Sequence, residues 1–209
     1  MRVIEFSKIF LRTSKDRRYL HTSTDSLVLV TQNKHKVAEL RPLFQKYNVA
    51  FETTNIEKHE IRSNDVKRVA IEAASQAQII LEKPVVVDDT GLYIKELKGF
   101  PGAYAAYVLD TIGIDGILRL MNGIEKRDAT FITAVGFVDK SQSKTFVGEM
   151  EGKIAEVSAG KEGFGYDPIF IPNGMDVTYA QLSLKDKTSI SHRTKAFTEF
   201  LEWYSINKS

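Results

Sequence analysis

The chain has 209 residues, 43% of them hydrophobic and 27% charged, which is the ordinary globular range and enough for one well-buried α/β core rather than a disordered or membrane composition. It contains no cysteine, which excludes a disulfide framework, a thiolate nucleophile and Cys-based zinc or iron–sulfur sites, so any metal must sit on oxygen or imidazole. The formal net charge of +2 is an N-terminal matter: residues 1–25 carry six basic and three acidic side chains, leaving 23 basic against 24 acidic in the rest, a near-neutral body unlike the footprint of a duplex binder.

Residues 1–25 mix apolar and basic positions without a compact apolar stretch, and they read as an N-terminal arm, poorly ordered, appended to a single domain over 26–209. No apolar run approaches the roughly 18–20 residues a membrane span needs, so a soluble, cytoplasmic protein is expected. The first strand is Leu27–Val30. A helix follows Asn33, with Val37, Leu40, Phe44 and Tyr47 on one face, and Pro42 is expected to kink or divide it. Val49–Thr54 reads as a short strand. Residues 65–82 place Val66, Val69, Ala70, Ala73, Ala77, Ile80 and Leu81 at helical spacing after a cap at Asn64. Val85–Val87 is an unbroken apolar run, as in a buried central strand. Ile114–Met121 reads as a short helix, 129–139 and 144–157 as an antiparallel pair joined at Lys140–Ser143, and Ser191–Tyr204 as a closing helix. The alternation predicts an α/β fold with part of the sheet parallel.

Five segments carry chemistry. Thr31-Gln32-Asn33-Lys34-His35-Lys36 sits where a strand gives way to a helix, and backbone N–H groups at such a start attract phosphate; taken alone the signal is weak, because a strand followed by a polar turn and a lysine-rich helix start is common. Asp88-Asp89-Thr90-Gly91 follows the buried run, where open α/β sheets place ligands. Ionised carboxylates there call for a counter-charge, and a hard divalent cation bridging to phosphate supplies one. Gly99-Phe100-Pro101-Gly102-Ala103-Tyr104 is a rigid loop. Gly163-Phe164-Gly165-Tyr166-Asp167-Pro168 can set a ring against a base and a carboxylate at its edge, or form a plain aromatic turn. Lys187 and Ser191-His192-Arg193 gather cations at a helix start, where they oppose the dipole and face an anion more readily than they cap the helix.

Together, in this order, the segments resemble the inosine triphosphate pyrophosphatase family, whose pattern is T-x-N-x-x-K, D/E-D-S/T-G, P-G-x-Y, F-G-Y/W-D-P and K-x-x-x-S-H-R. The resemblance spans about residues 27–204. It implies a long mixed β-sheet flanked by helices, two lobes with a nucleotide cleft between them, and a homodimer. The implied activity is Mg²⁺-dependent hydrolysis of deaminated purine triphosphates (ITP, dITP, XTP) to the monophosphate and pyrophosphate, with no nucleic-acid or membrane partner. Carried onto this chain, Thr31, Asn33 and Lys36 contact the triphosphate, and Gln32, Lys34 and His35 line it through backbone N–H groups. Asp89 acts as general base or metal ligand, with Glu60 a second, looser match to a Mg²⁺ ligand, and Thr90 touches substrate. Phe164, Gly165, Tyr166, Asp167, Lys187, His192 and Arg193 form the base and sugar pocket.

Three positions depart from the family pattern. A lysine common in the helix over 66–82 is absent, the nearest positions being Ala73, Ala74 and Ser75, so Lys67 or Arg68 is the expected substitute. Ala105 stands where a serine is common, and Gln32 where a glycine is. Inosine and xanthine present a C6 carbonyl where adenine presents an amino group, so donors from His192, Arg193 or the 164–167 backbone favour the former, while GTP shares that carbonyl. A nucleotide-binding sensor without turnover is the alternative reading, motivated by the missing lysine and Ala105.

Overall fold

The computed structural model of the chain describes residues 26–54, 56 and 61–207; the expected arm over 1–25 and the expected ligand Glu60 lie outside the described residues. β1 (Leu27–Val30) is buried throughout, as its apolar run requires, and leads into α1 (Lys34–Lys46). A βαβ-type path then gives β2 (Phe51–Thr54), α2 (Val66–Leu81) and β3 (Val85–Ile94). Both β2 and β3 pair parallel to β1, while β5 (Asp128–Val138) pairs antiparallel to β3 and β6 (Ser143–Ile154) antiparallel to β5. A two-residue β4 (Pro101–Gly102) sits beside β3, and β7 (Phe170–Pro172) closes the edge, giving a seven-stranded sheet of order β2-β1-β3-β5-β6-β7 with β4 off that path. The sheet is mixed, as expected: the β–α–β crossovers give parallel pairing on one half, while the β5–β6 hairpin and the longer connections before and after it give antiparallel pairing on the other.

Three helical elements flank the site. α3 (Ala105–Leu120) begins well before the expected Ile114; it is broken at Gly113, whose φ of 66° and ψ of −173° leave only its second segment in the predicted place. α4 (Leu184–Ile190) and α5 (His192–Asn207) are separate helices meeting at Ser191. The close seating of α5 on β6 needs Gly148, since a Cβ there would overlap the His192 carbonyl oxygen.

Four smaller expectations are corrected. α1 is not divided at Pro42 but runs through it as one helix, with Leu40 and Phe44 buried on either side of it. Burial against α5 outweighs the loss of one backbone bond. α2 is capped by Asp65, whose carboxylate accepts from Lys67 N at 2.9 Å, and not by Asn64. β2 starts at Phe51, two residues later than predicted. β3 does not end at Val87 but continues to Ile94, paired with β5 along its whole length, so that Asp88, Asp89 and Thr90 are held in the strand by the backbone ladder.

Candidate active site

Side chains alternate along a strand, and on one face of the two central strands that alternation exposes a gap. Val86 on β3 and Val135 and Phe137 on β5 belong to one apolar cluster, packed by Phe44, Phe197 and Phe200. Leu92 and Ile94 on β3 and Ala129 and Phe131 on β5 belong to another, with Ile169, Phe170 and Tyr179. Asp88, Thr90 and Thr133 lie between them. A cavity of about 510 Å³ opens at this gap, its wall including Thr31, Asn33, Lys36, Asp89, Thr90 and Arg193. β1 ends at Val30 while β3 continues, so the carboxylates stand level with the start of α1.

At that start Asn33 caps α1. Its Oδ1 accepts from His35 N at 2.9 Å and Lys36 N at 3.3 Å, and Asn33 N donates to Thr31 Oγ1 at 3.2 Å. The backbone N–H groups of His35 and Lys36 are therefore already satisfied, which corrects the expectation that His35 meets phosphate through its own N–H. Gln32 lines the cavity. Lys34 and His35 are exposed and do not; the His35 ring instead stacks on Phe164 at 5.3 Å and 22°.

A buried ion network runs from the cavity wall, where Lys36, Asp167, Lys187 and Arg193 stand, back to Asp88 and Glu39. Asp88 is 1% exposed and pairs with Lys36 at 2.9 Å and Arg193 at 3.3 Å. Arg193 also reaches Glu39 at 2.6 Å, and Lys187 bridges Glu39 at 2.7 Å and Asp167 at 2.5 Å. The anions that Lys187 and Arg193 face are thus the protein's own. Burial pushes the Glu39 carboxyl up, but Arg193 and Lys187 outweigh it and hold the carboxyl below its usual range. Asp167 shares only Lys187 and feels Glu39, so burial wins and its carboxyl is raised. Burial would also lower the Arg193 guanidinium, yet Asp88 and Glu39 raise it, keeping it charged. His192 is held well below 6.5, first by burial and then by Arg193 and Lys187, so its ring is neutral.

The 163–168 loop is tied to this network. Asp167 Oδ2 accepts from Phe164 N at 2.8 Å as well as from Lys187, so its carboxylate anchors the loop while the residue lines the cavity. Phe164 lines the cavity with Lys187 4.8 Å and Arg193 5.4 Å from its ring centroid, cation–π distances that fix the ring. Tyr166 is buried and donates its hydroxyl to the Ala105 carbonyl at 2.8 Å.

Residues 27–203 match the sequence profile of the Ham1 family. The chain belongs to the Ham1 family. A protein of Methanopyrus kandleri named dITP/XTP pyrophosphatase is 44% identical over 182 residues, covering 87% of this chain and 97% of its own length. One of the same name from Pyrobaculum aerophilum is 46% identical, covering 84% and 94%. Among solved structures, the Ham1 protein of Staphylococcus aureus superposes with a TM-score of 0.75 at 28% identity, covering 88% of this chain and 100% of that one. A HAM1 protein from Coxiella burnetii gives 0.73 at 27%, covering 87% and 99%.

Within this Ham1 fold the departures acquire physical reasons. Ala73 and Ala74 pack against β1 and β3 in a third apolar cluster, where a lysine would be buried among apolar groups. Lys67 and Arg68 are exposed on the first turn of α2 and do not line the cavity, so neither replaces it. Ser75 donates to Ile71 O at 2.8 Å. Ala105 does line the cavity.

The charge chemistry of the wall bears on a metal. Among the described residues no group of three or more His, Asp or Glu side chains is placed to hold one. Asp88 is engaged by two cations, which leaves Asp89 as the strand carboxylate at the cavity. A single carboxylate suits Mg²⁺, which keeps several waters and binds through one or two carboxylates plus substrate phosphates rather than an all-protein cage.

Glu39 was not singled out from the sequence, although it was legible there. It lies beside Leu40 and three residues after Lys36 on the buried face of α1, and an acid on an apolar face demands a cation. Leu109, Asp110 and Phe131, which also line the cavity, carry no sequence signal that separates them from ordinary helix and strand positions.

Proposed function

We propose that the chain hydrolyses deaminated purine nucleoside triphosphates (ITP, dITP and XTP) between the α and β phosphates, releasing the monophosphate and pyrophosphate. One observation carries this reading: a nucleotide-sized cavity has Lys36 and Asp89 in the same wall as the Lys187, His192 and Arg193 group, in a chain whose relatives are named dITP/XTP pyrophosphatase. The apolar clusters on either side of the polar gap are then the two lobes of the nucleotide cleft.

In this mechanism Thr31, Gln32, Asn33 and Lys36 hold the triphosphate, and Lys36 stabilises the departing pyrophosphate. Asp89 and the phosphate oxygens would hold Mg²⁺, whose chemistry when bound is to neutralise phosphate charge and acidify water. Of the two adjacent carboxylates, Asp89 is the one able to take the proton of the attacking water, because Asp88 is engaged by Lys36 and Arg193. Thr90 contacts substrate beside it. Phe164 supplies a face for the base, with Gly165 and Tyr166 next to it and Asp167 holding the loop. Donors from His192 and Arg193 meet the C6 carbonyl; facing adenine's amino group, a buried donor is left unpaired, which costs about 1–3 kcal/mol.

The test is pyrophosphate release from ITP, XTP, GTP, ATP and dUTP with Mg²⁺ and with EDTA. Metal-dependent release from ITP and XTP, at least about fivefold faster than from ATP, is expected. Nucleotide binding without release would replace the enzyme by a sensor. Dimerisation belongs to the same proposal, and light scattering should give twice the 23.6 kDa chain mass.

A further inference from the structure

The central strands hold a hydrogen-bonded line in which one residue, Thr133, has no part in the proposed mechanism. Arg193 Nη2 donates to Thr90 Oγ1 at 3.4 Å, Thr90 Oγ1 lies 2.7 Å from Thr133 Oγ1, and Thr133 Oγ1 lies 2.6 Å from His192 Nδ1. Thr133 is fully buried on β5, directly opposite Thr90 in the sheet register and between the apolar residues Phe131 and Val135 on its own face. A valine would fill the same volume there, and a buried hydroxyl is costly unless bonded.

The direction of the line follows from its end. A guanidinium only donates, so Thr90 Oγ1 accepts from Arg193 and has its own proton to give. Among the described residues its one other side-chain partner is Thr133. Thr133 in turn gives its proton to His192 Nδ1. In the opposite order, His192 would donate to Thr133 and Thr133 to Thr90, and the Thr90 proton would have no side-chain acceptor and would have to turn away from the guanidinium into the cavity. Hydroxyl and imidazole protons are assigned by such completeness of the network. The ring is also held in place, stacked on Phe131 at 4.7 Å and 21°. Turning it over would put a carbon against Thr133.

We propose that Thr133 is a positioning residue that fixes His192 as the Nε2–H tautomer, so that the ring offers a donor, not an acceptor, to the C6 substituent of a bound purine. Burial, Arg193 and Lys187 together keep the ring neutral, so that one nitrogen does accept. The other tautomer would offer an acceptor and favour an amino purine; the choice between base classes thus rests on a hydroxyl that lines no part of the cavity. Second-sphere bonds commonly set the tautomer of a functional histidine in this way. This inference rests on the purine triphosphatase reading only for its consequence, not for its chemistry.

The test has two arms. Long-range ¹H–¹⁵N correlation spectra of the nucleotide-free protein should show His192 with Nε2 protonated and Nδ1 unprotonated; the reverse pattern overturns the proposal, whatever the enzyme hydrolyses. Thr133→Val should lower the ITP-to-ATP ratio of kcat/KM by about tenfold, the size of one misdirected hydrogen bond, and Thr133→Ser should keep both the ratio and the Nε2–H signature. An unchanged ratio in a folded Thr133→Val, or a Thr133→Ser protein with the Nδ1–H signature, overturns it. If the wild type releases no pyrophosphate from any purine triphosphate, the functional reading fails while the nitrogen shifts still decide the tautomer.

Discussion

Asp88 and Asp89 are adjacent on one strand, yet they belong to two regions with opposite physics. Asp88 is buried and pairs with Lys36 and Arg193, in a network where Arg193 and Lys187 share Glu39 and Lys187 also holds Asp167. Asp89, on the other face of β3, stands in the cavity wall. The network orders cations and loop before any ligand arrives, and the cavity acid is left to act on what binds. Preorganisation of this kind separates residues that hold the site from residues that react in it.

That division can be broken at either side. The largest effect is expected at Asp89→Asn, which should cut pyrophosphate release from ITP by about 10²–10⁴-fold, the usual loss for a general base, while its urea midpoint stays close to wild type; steady-state kinetics beside a denaturation curve checks both. Glu39→Gln should do the converse in stability, because it leaves Lys187 and Arg193 short of an anion in a buried site. A loss of about 3–5 kcal/mol is expected, read as a fall in the unfolding midpoint.

A smaller effect separates the regions by pH. The folded-state pKa of His192 lies well below its ordinary 6.5, so below pH 6.5 the unfolded chain takes up a proton that the folded ring refuses. Stability should therefore fall as pH drops from 6.5, by at most about 1.4 kcal/mol per pH unit. His192→Gln should flatten that slope, as urea titrations at pH 7.5 and 5 would show. The smallest expected change is Tyr166→Phe, which removes the hydroxyl bond to the Ala105 carbonyl and should cost about 1 kcal/mol; a loss beyond experimental error in the ITP KM as well would tie that bond to the cavity shape.

Much of the fold was legible because periodicity is a local property. The apolar runs of β1 and β3, the helical spacing of α2 and the β-branched stretches of β5 and β6 each bury a face that only one secondary structure can present. Boundaries were legible only where a local device set them. The continuation of β3 past Val87 was not, because it rests on the ladder with β5 and on partners for Asp88 and Thr90, Arg193 and Thr133 among them, that are distant in sequence. Asp65, not Asn64, is the extended residue whose carboxylate meets Lys67 N, a choice between two adjacent capping residue types that the sequence leaves open.

The candidate site divides along the same line. Residue types and their order were enough, by themselves, to mark phosphate-facing, acidic, aromatic and cationic segments, since these chemistries are written in side chains. Tertiary structure alone decided their roles: that Asp167 anchors a loop, that His35 stacks on Phe164 outside the cavity, that Glu39 joins two cations, and that Asp88 and Asp89 part company. The reason is electrostatic. A charge acts according to its partners and its burial, and both are set by elements brought together from opposite ends of the chain.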